Sequence, residues 1–402
     1  MLGKKMLSES TVRTLSVSSN EPEWMLQKRV EALKHFSSLS MPSFRYGIGI
    51  FVDASGLDVN DIDPLDGLDD WVVICPDEVT ALPFGVALKK QPYSNLIRKY
   101  FMRKIVDPKE NKFTALHAAF FNNGLFIRIP EFTELKDPIK ISVDMKAHNR
   151  IDHVLVIAEV GSKATIIDAS GSKVKNGQRF RSQVVEVFAK DNAKVKYVTV
   201  QNLNDSVFNF SKRRGSAGVN ASIDWIECHL GGRFTQAETL TFLEGDGSRS
   251  NSKGVIFGGN DQCFDICNET KHLASRSVSD MSTRAVLDGK SKVVYRGLIR
   301  INPGVVNCSG YQKDETILLS ENARVGAVPN LEIENNDVRC SHGATISTVD
   351  PDKLFYMTSR GLSEKMAKDA IVEGFFDSTL VEIESEDLKG EIKEAISERL
   401  RE

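Results

Sequence analysis

No apolar run in this sequence approaches the roughly 18 residues that a membrane-spanning helix needs. No short apolar core follows the lysines of MLGKKMLSESTVRT, so the N-terminus does not read as a secretory signal. Cysteine is scarce. Six in 402 residues do not make a disulfide framework for a chain of this length, and they read as reduced thiols of a cytoplasmic protein. An excess of charge of one sign is also missing: a formal net charge of −3 gives no electrostatic case for nucleic acid or an anionic membrane as partner. No Gly-x-x-x-x-Gly-Lys loop cradles phosphate, so no nucleotide is expected by that route. Neither His-Glu-x-x-His nor Gly-x-Ser-x-Gly occurs. The chain is therefore not expected to be an enzyme of these classes.

What is present is ordinary for a globular protein: 41% hydrophobic and 27% charged residues. The length suggests two or three domains. Residues 21–37 (EPEWMLQKRVEALKHFS) carry Trp24, Met25, Val30, Leu33 and Phe36 at roughly helical spacing, and helical patches follow within 94–121. Between them, 40–70 is irregular and rich in aspartate, from Asp53 to Asp70. The EF-hand spacing is absent, so a solvated acidic loop is expected rather than a calcium site. Residues 1–123 thus read as a mainly helical domain. From 124 to 349 short period-two runs succeed one another, separated by turns with Gly, Asn or Asp, which predicts one large β body. The turns at 191–195 and 321–325 resemble each other, a hint of a repeating coil. Lys212-Arg213-Arg214, before Gly-Ser-Ala-Gly, reads as a basic turn. Past Pro351 helical spacing returns over 352–360, 363–378 and 386–400, which makes 350–402 a helical C-terminal domain. Sandwich, barrel and β-helix all fit this pattern.

The organising stretch is 331–348, LEIENNDVRCSHGATIST. Val338, Cys340, His342, Ala344 and Ile346 alternate with polar or small residues, so they are expected on one mostly apolar, buried face of a strand. Cys340 and His342 are two apart, roughly 6.5–7 Å at Cα in a strand, so a thiolate and an imidazole could reach one metal ion. Two ligands are half of the usual set, and the others would come from elsewhere, including a second chain. Cysteine also serves as a small buried hydrophobe. Cys228 and His229 are adjacent and would point to opposite faces. Cys263 and Cys267 would share a face but lie roughly 13 Å apart, too far for one ion. Cys308 follows a Pro-Gly turn, a position open to exposure.

The runs DVRCSHGAT, LLSENARVGAVPNLEI and LFYMTSRGLSEKMAKDAIVEGFF (354–376) resemble the C-terminal signature of the SufB/SufD family of iron–sulfur cluster assembly proteins, closer to SufD. The resemblance implies a right-handed parallel β-helix core flanked by N- and C-terminal helical domains. A solenoid has open ends that need caps, and the helical segments on either side of the β region are placed to supply them. It further implies a non-enzymatic role in the SUF system, helping iron acquisition and cluster assembly. A SufC-type ABC ATPase would dock on the C-terminal helical domain, and a SufB-type subunit, or a second copy of this chain, on the β-helix. Transient iron or an iron–sulfur cluster is the implied cargo, with His342, Cys340 and Cys308 as the candidate residues. Two departures stand out. The scaffold cysteine of SufB falls on Asp314 and its nearby glutamate on Gly343, so only His342 matches. A homodimeric scaffold working with the ATPase alone is the alternative within the family. A β-helix enzyme acting on polysaccharide is the alternative outside it.

Overall fold

Each period-two run becomes one strand, and successive strands alternate between two sheets. The computed structural model describes residues 6–44, 46, 49–50, 52–66, 71–174 and 176–400. The chain opens with α1 (Glu9–Ser18) and α2 (Glu23–Ser38), then β1 (Val72–Ile74), β2 (Thr80–Pro83), α3 (Phe84–Ala87), α4 (Tyr93–Tyr100) and α5 (Lys112–Phe120). The strands that follow are β3 (Asn123–Ile129), β4 (Ile139–Asp144), β5 (Asn149–Ala158), β6 (Lys163–Gly171), β7 (Arg179–Ala189), β8 (Lys194–Asn202), β9 (Val207–Ala217) and β10 (Ser222–His229). They continue with β11 (Phe234–Leu243), β12 (Arg249–Gly258), β13 (Cys263–His272), β14 (Val278–Leu287), β15 (Lys292–Ile301), β16 (Cys308–Leu318), β17 (Arg324–Ile333) and β18 (Val338–Thr348). The chain closes with α6 (Pro351–Ser359), α7 (Glu364–Leu380) and α8 (Glu386–Arg399). From β3 onward the odd strands pair in parallel in one nine-stranded sheet and the even strands in another. This is a parallel β-solenoid with helices at both ends of the chain.

The coils are stacked through one column of turns. Gly161, Asn192, Asn220, Gly247, Arg276 and Asn307 all take positive φ between an odd strand and the next even one. Asn and Gly dominate because they tolerate this left-handed conformation best. Each N–H donates to the corresponding turn of the following coil, as from Asn192 to the Val219 carbonyl (2.8 Å) and from Asn220 to that of Asp246 (2.9 Å). The turns at 191–195 and 321–325 are not equivalent. The first lies in this column and the second at the opposite corner, between an even and an odd strand.

Helices cover part of the outer face of each sheet, and on the odd sheet this buries β5, β7 and β9 along their whole length. The N-terminal helices pack on the odd sheet, where Phe113 of α5 stacks on Phe210 with ring centroids 3.8 Å apart. The C-terminal helices pack on the even sheet, where Val372, Phe376 and Ile392 meet Val198, Ile226 and Phe257. The expectation that helices cap the ends of the solenoid is corrected here, because their apolar stripes lie on the sheet faces. The first end is closed instead by β1 and β2, which pair antiparallel with β4 and β3. Neither short strand stood out in the sequence.

Local signals set the helix limits. Asn111 Oδ1 accepts from the Thr114 N–H (2.9 Å) at the start of α5. Ser363 Oγ does so for Met366 N–H (3.2 Å) at the start of α7, and Gly361 at φ 97° separates α6 from α7. In the acidic stretch, Asp58 and Asp63 accept backbone N–H groups two residues on and so serve as turn formers. Asp69 and Asp70 lie outside the described residues.

Two readings of the β body need correction. Lys212-Arg213-Arg214 is not a turn but the middle of the buried strand β9. Lys212 and Arg214 face outward and pair with Glu110 and Glu238, while Arg213 faces inward and pairs with Glu227 at 2.9 Å. The interior is also not simply apolar. Arg181 and Asp152 (3.3 Å) are buried there, as is Asp168, which accepts from Gln183 (2.9 Å) and Tyr197 (2.8 Å).

Candidate functional site at the open end of the solenoid

β17 and β18 form the last coil, and among the described residues nothing pairs with their outer edges. The register of β16 on β18 sets Gly310 opposite Cys340, Gln312 opposite His342 and Asp314 opposite Ala344. Gln312 and Asp314 are buried in the solenoid interior, so Cys340, His342 and Ala344 point along that same interior column. No further coil covers them. Cys340 is half-buried, His342 and Ala344 are exposed, and Ile346 is 49% exposed. The alternation read from the sequence is real, but the face it predicts as buried is open. Across the coil mouth, Leu331 and Ile333 of β17 are half-buried and exposed. Two unpaired strand edges therefore border an apolar surface that carries one thiol and one imidazole.

Cys308 is corrected in the other direction. Asn307, at φ 56°, turns the chain inward after Gly304, and Cys308 becomes the first residue of β16 at 2% exposure. It packs with Met281, Ile299, Ile301 and Val305. Its Sγ lies 3.3 Å from Ser277 Oγ, which contacts His272 Nδ1 at 2.8 Å. Cys308 thus lies one coil inside Cys340. The Cys340 thiol is pushed up mainly by burial, against a backbone hydrogen bond from Gly310 that lowers it.

The two family departures have different surroundings. Asp314 is buried, and burial raises its carboxyl to about 7 against a hydrogen bond from Gln312 (3.3 Å). Gly343 lies on the exposed outer side of β18, where a side chain would meet nothing within 4 Å. Among the described residues no three or more His, Cys, Asp or Glu side chains are grouped to hold a metal ion.

The other cysteines stand apart from this end. Cys228 is buried beneath the C-terminal helices, its thiol pushed up to about 12 by burial, while the neighbouring His229 faces inward. Cys263 and Cys267 lie half-buried on one face of β13. The sequence reading did not single out Phe355 and Tyr356 of α6, which are 74% and 60% exposed. Two adjacent aromatics in a helix were the available signal; Leu354 and Met357 of the same helix are half-buried.

The chain matches the family described as SUF system FeS cluster assembly, SufBD core domain, over residues 141–375. The chain belongs to the SufBD family. An iron–sulfur cluster assembly protein SufD of Bacillus subtilis is 27% identical, and the alignment covers 100% of both chains. SufBD family iron–sulfur cluster assembly proteins of Staphylococcus saprophyticus and Staphylococcus aureus are 26% identical over 94% of this chain and 90% of theirs. The SufBD core match spans β5 to β18 and α6, so it covers the solenoid and its open end together. No helix among the described residues is long and apolar enough to cross a membrane.

Proposed function

We propose that this SufBD chain is a non-enzymatic, SufD-like component of iron–sulfur cluster assembly that covers its open coil with another SufBD-type chain, a SufB-type subunit in the first instance. The observation that carries this reading is the uncovered last coil. A solenoid interior that stops at β18 leaves apolar surface and two strand edges in water, and both favour a partner chain. Cys340 and His342 stand at that mouth with an incomplete donor set, so a partner would add the thiolates that hold iron or a cluster as cargo. Cys308, one coil inside, is the third candidate. Its burial suits it less to first contact than to a role behind Cys340.

The test is His342→Ala in the reconstituted complex with SufB-type and SufC-type partners. His342 is exposed and has no hydrogen-bond partner among the described residues, so thermal unfolding is expected to stay within about 0.5 kcal/mol of the parent, as for ordinary surface substitutions. Iron and sulfide content per complex is expected to fall severalfold. Unaltered iron and sulfide would remove His342 from the site.

A SufC-type ATPase docking on the C-terminal helices belongs to the same proposal. Deleting 351–402 is a poor test, because it would expose Val198, Ile226, Val255 and Phe257 beneath α7 and α8. Substituting the exposed pair Phe355→Ser and Tyr356→Ser avoids this. The variant is expected to keep its unfolding midpoint and lose at least about tenfold in ATPase affinity, the size of effect that a central aromatic anchor commonly has. Unchanged affinity would move the docking site away from α6.

A further inference from the structure

On the outer face of the even sheet, next to the part covered by α7 and α8, lies an open groove of about 980 Å³. Its floor is formed by β4, β6 and β8, and its walls by residues 134–138 and 383–385. Lys136, Lys140, Lys163, Lys194 and Lys196 line it together with Ile167 and Val198. Lys163 and Lys194 sit directly opposite each other on neighbouring strands, an arrangement that repels unless carboxylates lie close. Glu134 relieves Lys163 at 2.7 Å. Lys136, Lys140 and Lys194 are exposed and, among the described residues, form no ion pair. A chain whose net charge is −3 thus gathers five lysines in one groove, beside the carboxylates of Glu134, Asp224 and Glu384, with Lys136, Lys140 and Lys194 outside any ion pair among the described residues.

The protein itself shows what this face accepts. The connection between α7 and α8 lies across the next strands of the same face as a short alternating segment. Glu382 pairs with Lys253 at 3.6 Å, Glu384 pairs with Lys196 at 2.7 Å, and Ile383 between them is buried to 1%. The pattern is carboxylate, apolar, carboxylate, with the apolar residue on the sheet and the acids on lysines. The open lysines continue that lysine-and-apolar surface toward the first coils.

We propose that this groove docks an extended acidic segment of a partner protein, in which carboxylates alternate with apolar side chains. Charge complementarity selects the acids. The half-buried Leu135 and Pro138 of the groove wall select the alternation. This surface lies on the flank of the solenoid, away from the open coil, so the proposal stands independently of the assembly reading above.

The test uses the chain's own segment as probe. A fluorescent peptide of sequence VEIESED, residues 381–387, is titrated against the full-length protein and followed by anisotropy. Saturable binding is expected, and it should weaken by at least about tenfold in Lys140→Glu/Lys194→Glu and fall steeply with added salt. A peptide of the same composition with its acids in one block should bind at least about threefold more weakly, because a block cannot place an apolar residue on the groove wall between two ion pairs. The control Lys109→Glu/Lys290→Glu makes the same change in net charge away from the groove and should leave binding within about twofold, since screening confines exposed charges to about 10 Å. All four lysines are exposed, and matching unfolding transitions will confirm intact folds. No saturable binding, equal loss in the control, or equal binding of the block peptide would each overturn the proposal.

Discussion

Glu227→Ala is expected to destabilise the fold by about 3–5 kcal/mol, the usual cost of removing one partner of a buried ion pair. Glu227 is 2% exposed inside the solenoid, accepts from Arg213 Nη1 at 2.9 Å and from Thr239 Oγ1 at 2.6 Å, and has no access to water. Alanine leaves the Arg213 guanidinium, 1% exposed, with the hydroxyls of Thr199 and Ser211 as its remaining hydrogen-bond partners among the described residues. Chemical denaturation should show the loss as a lower midpoint. Removing both charges with Arg213→Met/Glu227→Leu should recover most of it, because the uncompensated charge and not the lost attraction carries the cost. Equal destabilisation in the single and double variants would reject this account.

The same pair sets an acid response. Burial, the largest single effect, would raise the Glu227 carboxyl, but Arg213, His229 and Thr239 together outweigh it and hold it at about 2, below the ordinary value of about 4.3. A folded-state value below the unfolded one means stability that is fully present above about pH 4.3 and is lost as pH falls toward about 2. In Glu227→Ala that limb should be shallower over the same window.

Trp225→Ala is expected to cost about 3–5 kcal/mol, the range for emptying a buried aromatic site. Trp225 is fully buried between the sheets, stacks at a tilt on Tyr197 with centroids 5.7 Å apart, and donates from Nε1 to Thr241 Oγ1 at 2.9 Å. The ring is held from the other side by Gly215, where a Cβ would stand 3.0 Å from Trp225 Cζ2 and 2.8 Å from Ile223 Cδ1. Both sheets therefore close on this indole, and neither can move inward to fill the space it leaves. The measurement is the unfolding midpoint of the purified variant. A shift below about 1 kcal/mol would mean that the coil collapses around the site, against the packing described.

The basic run shows where local reading failed. Lys212-Arg213-Arg214 before a glycine looks like a surface turn, since lysine and arginine are rarely buried without partners. Their partners are Glu110, Glu227 and Glu238, on a loop and two other strands. No window of the sequence contains all of them, so the burial of β9 was not legible locally. The glycine belongs to the packing of Trp225 and marks no turn at all.

Cys308 and His342 make the same point in opposite directions. A cysteine after Pro-Gly looked accessible, yet the turn at Asn307 folds it under the last coil. A histidine on an apolar alternating face looked buried, yet no next coil covers it. Strand periodicity tells which residues share a face. It carries no information on whether another layer lies above that face.

By itself the sequence determined the β body between helical ends, most of its strands, the C-terminal helices, the shared face of Cys340 and His342, and the resemblance to the SufB/SufD family. These rest on interactions within a few residues: side-chain alternation, helical spacing and N-terminal caps at Asn111 and Ser363. The tertiary structure alone decided that helices cover the faces of the solenoid rather than its ends, that charged side chains pair inside it, that Cys308 is enclosed, and that the coil ending at β18 is open. Each of these depends on which residues approach from distant parts of the chain, and burial is a property of those neighbours.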